Sequence, residues 1–307
     1  MENVYDIIII GVGPAGLSAG MYAGRFNLKT LIIGSDFGGY ASKAGIIYNY
    51  PGARQIDGYD LTKTIKQQAL DNGVEFLDEK VTNVEKKDGI FKISVKDNPY
   101  FSKAVILATG SERRKLGLPK EKELEGKGVH YCVTCDGPVY VGKEIAIIGG
   151  GYAAAKSAVL ASQYAKKTYI LVAGAELNAE HSTLEAIGRA GDKVEIVKNI
   201  KVEGIKGDDK LEGIILNREL NGNKELRVDG VFVEIGSLPS NNIAKELGVA
   251  LDEKGYAVSD PFMKTNVPGV FVAGDLSNLF GGFKQNIIAT ATGSLSANSA
   301  YQYIKSL

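Results

Sequence analysis

Cys132 and Cys135 are the only cysteines in a chain of 307 residues, and two residues separate them. Two cysteines placed at random in so long a chain would fall at that spacing about once in 150. A Cys-x-x-Cys pair in an otherwise thiol-free chain reads as redox-active, because the sulfurs can close a disulfide and release it again. Asp136 follows directly, and a carboxylic acid there could protonate a departing thiolate. The same Asp136 reads equally as a turn residue ahead of Gly137-Pro138. The competing reading of the cysteines is half of a zinc site. Structural zinc takes four ligands, and only His130, His181 and carboxylates remain to complete them, so no metal is expected. Neither histidine has a catalytic partner nearby in sequence, and both read as structural or surface residues.

Two glycine motifs flank the cysteines. The first, Gly11-Val12-Gly13-Pro14-Ala15-Gly16, follows the apolar run at 5–10 and opens an Ala- and Leu-rich segment. A lone GxGxxG is weak, since at this glycine content about half of such chains would contain one by chance. Its setting supplies the specificity. A first glycine makes the turn, a second lets a pyrophosphate approach the backbone, and the helix start offers N–H groups and a positive dipole end. Pro14 suits a first helical turn, where its missing N–H costs nothing. The second motif, Gly149-Gly150-Gly151 with Ala154, again sits between strand and helix. Dinucleotide sites continue with an acid for a ribose hydroxyl, or arginines for a 2′-phosphate, beyond the next strand. Here Val172, Ala173, Gly174 and Ala175 come first, then Glu176, and no arginine appears before Arg189. Two missing charged hydrogen bonds would weaken NADP binding by about 10²–10⁴-fold.

These motifs need strands and helices to hold them. Residues 5–10 are a run buried on both faces, followed by a helix over 17–25 and a strand over 28–33, which makes a βαβ unit. A second such unit has strand 144–148, a helix to about Tyr164, and strand 168–172. Strand-like segments at 81–86 and 90–95, with the run 104–110, form a meander between the two units. A similar meander is expected at 193–197, 212–217 and 230–235. The run 268–275 is one more buried strand, and 287–304 a closing helix. No low-complexity linker separates the halves, so the second unit is expected as an insertion in the first. The fold class is α/β, with two Rossmann-like nucleotide-binding domains of three-layer ββα type.

Lys and Arg number 36 against 36 Asp and Glu, which leaves no long-range pull on nucleic acid or an acidic membrane. Neither is expected as a partner. A 44% hydrophobic and 23% charged chain is that of an ordinary globular protein, and 38 glycines point to many tight turns. The acidic lead at 1–4 lacks the basic start of a signal peptide, and no apolar run is long enough to span a bilayer. A cytoplasmic location is the simplest expectation. The charged stretch 115–127, mixed in sign, reads as a solvated linker face.

The chain resembles the low-molecular-weight, bacterial-type thioredoxin reductases over essentially its whole length. The resemblance is carried by Gly11 to Gly16, Gly38-Gly39, Asn49-Tyr50-Pro51-Gly52, Ala108-Thr109-Gly110, Cys132-Val133-Thr134-Cys135-Asp136-Gly137, Gly149-Gly150-Gly151 and Thr265 with Pro268 to Asp275. It implies an FAD-binding domain over 1–112 and 241–307, and an inserted NAD(P)H-domain-like module over 113–240 carrying the cysteines. FAD would meet Gly11, Gly13, Pro14, Ala15, Gly16, Gly38 and Gly39 along its pyrophosphate side. Asn49, Val81, Thr109 and Gly110 would contact it from the first segment, and Gly274, Asp275, Lys284, Gln285 and Asn286 from the last. The resemblance makes Cys135 the sulfur that exchanges electrons with the flavin, Cys132 the one that attacks thioredoxin, and Asp136 the proton donor. It also implies a homodimer whose domains rotate about hinges near Glu112-Arg113 and 238–241.

The departures from that family are informative. Its NADPH domain carries a His-Arg-Arg stretch and a further Arg, where this chain has Val172, Ala173, Gly174 and Asn178. A small polar residue and paired glutamates after the three glycines become Tyr152 and Lys156-Ser157. The usual Arg before Gln285 is Lys284, and Phe280-Gly281-Gly282-Phe283 enlarges that loop. The pattern is similar to that of the ferredoxin-linked, pyridine-nucleotide-independent thioredoxin reductases of anaerobic bacteria. The expected activity is therefore an FAD-dependent thioredoxin-disulfide reductase with reduced ferredoxin as donor and thioredoxin as substrate. Arg113, Arg114 and Lys115 are a candidate patch for an acidic ferredoxin. Two alternatives stay open: an NAD(P)H-driven reductase with an unfamiliar binding mode, and a flavoprotein redox sensor that does not turn over.

Overall fold

The computed structural model describes residues 4–47 and 49–307; residues 1–3 of the acidic lead lie outside them. The chain divides into two compact units, Met1–Glu112 with Leu238–Leu307, and Arg113–Ser237. The chain passes from the first unit to the second at Glu112/Arg113. The return lies three residues earlier than 240/241, because Ser240 is tied to the first unit. Its N–H donates to Gly110 O at 3.0 Å, and Thr109 Oγ1 donates to its carbonyl at 2.7 Å.

The first unit is built on a seven-stranded sheet. Val4–Ile10 lies at its centre, parallel to Thr30–Ile33 on one side and Asn98–Leu107 on the other. Glu75–Leu77 extends one edge, and Val270–Val272 joins Asn98–Leu107 in parallel. Asn83–Lys87 and Ile90–Val95 complete an antiparallel meander with Asn98–Leu107. The central strand shows why three layers form. Alternate side chains point to opposite faces, so Ile7 and Ile9 pack with the helices Pro14–Arg25, Gly58–Asp71 and Asn286–Lys305. Ile8 and Ile10 pack on the other face with Val84, Phe91 and Ile93 of the meander. The apolar run at 7–10 is what such a strand requires where both faces are covered.

The second unit repeats the plan. Val129–His130, Gly230–Val233, Glu144–Ile148, Lys167–Leu171 and Val194–Val197 form a five-stranded sheet in that order, parallel throughout. Ile145 and Ile147 meet Ala154, Ala155 and Ala158 of the helix Tyr152–Ala161, whereas Ala146 and Ile148 face the layer that contains Ile214 and Leu216. That layer is the antiparallel sheet of Val202–Lys206, Gly213–Leu220 and Asn223–Leu226.

The expectation of a second meander built from 193–197, 212–217 and 230–235 is therefore corrected. Only the middle segment belongs to an antiparallel layer, and the outer two are parallel strands of the main sheet. Short apolar runs carry no mark of the strand they will pair with. Among the described residues no helix is long and apolar enough to cross a membrane.

Candidate active site

The cysteines sit where the strand Val129–His130 runs out into one helical turn, Val133–Asp136. Cys132 caps that turn and is bonded to Cys135, with the Cα atoms 5.3 Å apart. The Cys135 N–H donates to Cys132 Sγ at 3.2 Å, a contact that favours negative charge on that sulfur once the bond opens. Val133 anchors the turn from below at 2% exposure, while Thr134 and Cys135 are exposed. Gly137 leaves room for the Tyr164 side chain, whose Oη lies 1.8 Å from where a Cβ would be.

Asp136 is half-exposed, and its Oδ2 lies 3.3 Å from His130 Nδ1. On the other side of the ring, His130 Nε2 lies 2.7 Å from the Tyr140 hydroxyl. With Asp136 as acceptor, Nδ1 carries the proton and Nε2 accepts from Tyr140. His130 is 6% exposed and stacks on Phe232, with ring centroids 5.3 Å apart. Burial pushes its pKa down, and the nearby Asp136 charge opposes that. Tyr140 is pushed up to about 12, first by burial and then by Asp136 and Asp229. Of the structural and surface roles expected for His130, the buried, stacked ring takes the structural one, with two polar partners that the sequence did not point to. His130 lies six residues before Asp136, and only the turn at the cysteines folds the two together.

The first glycine motif forms a tight crossing at the sheet edge. Gly11 has φ +119°, and a Cβ there would lie 2.1 Å from Ala108 O. A Cβ on Gly16 would lie 1.9 Å from Gly11 O, which lets the helix Pro14–Arg25 start directly against the turn. Gly13 differs: its missing Cβ points into space whose nearest atom is Gly38 O at 4.0 Å. Gly39 faces the same space, with Gly13 Cα 3.8 Å from its virtual Cβ. Gly13 caps the helix with no side-chain acceptor, and Pro14 occupies the first turn. Such a cradle, lined by backbone and helix N–H groups, suits a pyrophosphate.

The last segment arrives at the same helix start. Gly274 (φ +68°) places its virtual Cβ 2.9 Å from Ala15 Cβ and 3.8 Å from Ala289 Cβ, so the beginnings of two helices converge there. Gln285 caps the helix that begins at Asn286, and its Oε1 accepts from Asn49 Nδ2 at 3.0 Å. Burial raises the Asp275 carboxyl, against the opposing charge of Lys284 and a Ser111 hydroxyl bond. Lys284 Nζ donates to the carbonyls of Asp275 and Ser277 at 3.1 and 2.9 Å. Val81 packs its side chain into the meander-side core at 8% exposure, apart from these polar groups.

The second glycine motif has the backbone of a nucleotide site with other side chains around it. Gly149 lies against Glu234 O, 2.2 Å from its virtual Cβ, and Gly150 against Val172 Cγ1 at 2.9 Å. Gly151 opens on space, yet Tyr152 beside it is 59% exposed, and Ala173, Gly174 and Asn178 are exposed without a charge. Inside, the Glu234 carboxylate is buried and pairs with the Arg113 guanidinium and with Ser157 Oγ at 3.0 Å. Sequence reasoning missed this group, since its members lie 121 and 77 residues apart.

The same pairing corrects the candidate basic patch. Arg113 is engaged with Glu234 and Lys115 with Glu125 at 2.7 Å, which leaves Arg114 as its exposed member without an ion pair among the described residues. The 115–127 stretch is not wholly solvated either. Glu121 is 3% exposed and accepts from the N–H groups of Leu116 and Gly117 and from Tyr131 Oη.

Burial raises the Glu234 carboxyl above its ordinary value, with Arg113 opposing. A raised folded-state pKa means that the folded protein holds the proton longer than the unfolded chain does. Stability is therefore lost as pH rises from the unfolded value of 4.5 through the folded one. Arg113→Met removes the compensating charge and should cost about 3 kcal/mol near pH 8. The loss should shrink at pH 5.5, where a proton can neutralise Glu234. Urea unfolding at both pH values checks this, and equal losses would refute it.

The pyridine nucleotide-disulphide oxidoreductase profile matches residues 5–296. A thioredoxin reductase of Treponema pallidum is 38% identical over 310 residues, covering 100% of this chain and 99% of that protein. The crystal structure of Lactococcus lactis thioredoxin reductase superposes with a TM-score of 0.92 at 32% identity, covering 99% of this chain and 100% of that one. A ferredoxin-flavin thioredoxin reductase from Clostridium acetobutylicum is also similar, at a TM-score of 0.54 and 32% identity over 99% and 98% of the two chains.

Proposed function

Because this chain belongs to the pyridine nucleotide-disulphide oxidoreductase family, and within it to the thioredoxin reductases, we propose that it reduces the disulfide of thioredoxin with electrons from ferredoxin. The cofactor is FAD. The uncrowded backbone at Gly13 and Gly39, beside a helix start with no side-chain cap, fits its pyrophosphate. Asn49 with Gln285, and Asp275 with Lys284, would hold the flavin end. Bound FAD supplies a two-electron store that can be filled one electron at a time, which ferredoxin requires and a disulfide does not.

The chain's own residues perform the exchange. Cys132 Sγ attacks the substrate disulfide as a thiolate, supported by the Cys135 N–H. Asp136 gives a proton to the leaving thiolate, and Cys135 then closes on Cys132 and expels the reduced substrate.

The observation that carries the choice of donor is the second glycine motif. The exposed positions beyond its second strand hold Ala173, Gly174 and Asn178, where an NADPH phosphate would need cations, and the buried charge beside it is the Glu234 carboxylate. Similarity to the Clostridium acetobutylicum ferredoxin-flavin enzyme supports the same reading. An anaerobic absorbance titration tests it. Reduced ferredoxin should bleach the flavin band, and NADPH or NADH should not; rapid stoichiometric bleaching by NADPH would overturn the ferredoxin assignment. By the same family resemblance we read the protein as a cytoplasmic homodimer, which sedimentation of the purified holoenzyme checks in its subunit number.

A further inference from the structure

Asp136 has a polar connection that leads away from the dithiol. His130 and Tyr140, joined to Asp136 in series at 3.3 and 2.7 Å, both line a cleft of about 1020 Å³. Lys143, Glu144, Lys166 and Asp229 share its walls, whereas Asp136 and the two cysteines do not border it. We propose that Tyr140 and His130 are positioning residues that pass protons from this cleft to Asp136 while a protein substrate covers the dithiol. The inference rests on the reading of Asp136 as the proton donor.

Proton balance supplies the reason. Cys132 attacks as a thiolate, so its bond to one substrate sulfur forms as the substrate S–S bond breaks, and Asp136 protonates the leaving sulfur. Cys135 then loses its proton, bonds to Cys132 and expels the second substrate sulfur. Two leaving thiolates need two protons, and Cys135 returns only one. The other must come from solvent. A docked protein whose sulfur touches Cys132 stands between solvent and Asp136, four residues away in the same turn.

The relay reaches Asp136 from behind. Tyr140 Oη gives its proton to His130 Nε2 as Nδ1 gives its own to Asp136, and the cleft refills Tyr140. The surroundings keep both carriers neutral between transfers. Phe232 stacks on His130, and burial holds the imidazole uncharged against the pull of Asp136. Asp229 disfavours a tyrosinate at Tyr140, with Lys143 Nζ 5.5 Å from its ring centroid as the nearby cation.

The test follows oxidation of the fully reduced holoenzyme in a single turnover, by thioredoxin disulfide and by a small aliphatic disulfide (2-hydroxyethyl disulfide), whose leaving thiolate is as basic as a cysteine's and needs the same proton but leaves Asp136 open. Tyr140→Phe keeps the ring and removes only the hydroxyl; His130→Phe keeps the stack. Both should slow the thioredoxin reaction about tenfold or more, below the full value of a general acid. They should raise its solvent deuterium isotope effect and leave the small disulfide within twofold of wild type. Equal slowing with both disulfides, or none with either, overturns the relay. Asp136→Asn should slow both reactions. If it slows neither, the reading of Asp136 itself has failed; if it slows both while Tyr140→Phe changes nothing, only the relay has. Should His130→Phe fail to fold, Tyr140→Phe carries the test.

Discussion

Cys135→Ser should abolish reduction of thioredoxin while the purified protein stays yellow. The chain has two cysteines and no third thiol to take over. Removing Cys135 leaves Cys132 able to form a mixed disulfide that nothing resolves, so turnover should fall by at least about 10³-fold. The flavin should remain, because the glycine cradle and the Asn49–Gln285 pair lie in the first unit and the disulfide in the second. Steady-state assay and the flavin absorbance of the same preparation report the two halves separately. A variant that keeps more than a tenth of wild-type turnover would mean that electrons reach the substrate without the disulfide. A non-turnover redox sensor would show no thioredoxin reduction even in the wild type, which separates that alternative at once.

Two glycines of one motif should respond oppositely to the same change. Gly16→Ala puts a methyl 1.9 Å from Gly11 O, against backbone that is itself locked at φ +119° over Ala108. Neither partner is the end of a flexible side chain, so helix and strand must part, at a cost of at least about 3 kcal/mol. That is a large share of the ~5–15 kcal/mol a domain has. Loss of soluble protein, or a sharply lowered Tm with no bound flavin, is the expected result. Gly13→Ala, three residues earlier, meets only Gly38 O at 4.0 Å. It should cost about 1 kcal/mol, the penalty of an alanine N-cap. Its methyl enters the pyrophosphate space instead, and flavin affinity should drop about tenfold or more, the equivalent of one charged hydrogen bond. If Gly13→Ala binds flavin as tightly as wild type, the cradle is not the pyrophosphate site. A Gly16→Ala protein of unchanged Tm would show that the crossing can relax.

What could be read from residues alone was chemistry held within a few positions of chain. The Cys-x-x-Cys pair, the turn-making Gly11 and the helix-opening Gly16 act on their near neighbours, and spacing is sufficient to recognise them. The continuous apolar runs at 7–10 and 145–148 likewise announce strands buried on both faces, and with them a layered α/β fold. The strand at 194–197 was legible as a strand and illegible as to partner, because a short run with three β-branched residues pairs equally well in either direction. Tertiary structure decided that, through the parallel register of Ile170 with Ile196.

Tertiary structure also decided the charges that distinguish this site. Glu234 meets Arg113 and Ser157 only because the sheet brings segments 121 and 77 residues apart into one desolvated place. His130 is the clearest case. Its partners Asp136 and Tyr140 lie only six and ten residues on, yet their spacing matches no regular element, and it is the turn at the cysteines that sets the ring between them. A buried polar group must find partners at short range in three dimensions, and distance along the chain carries no record of which ones it finds.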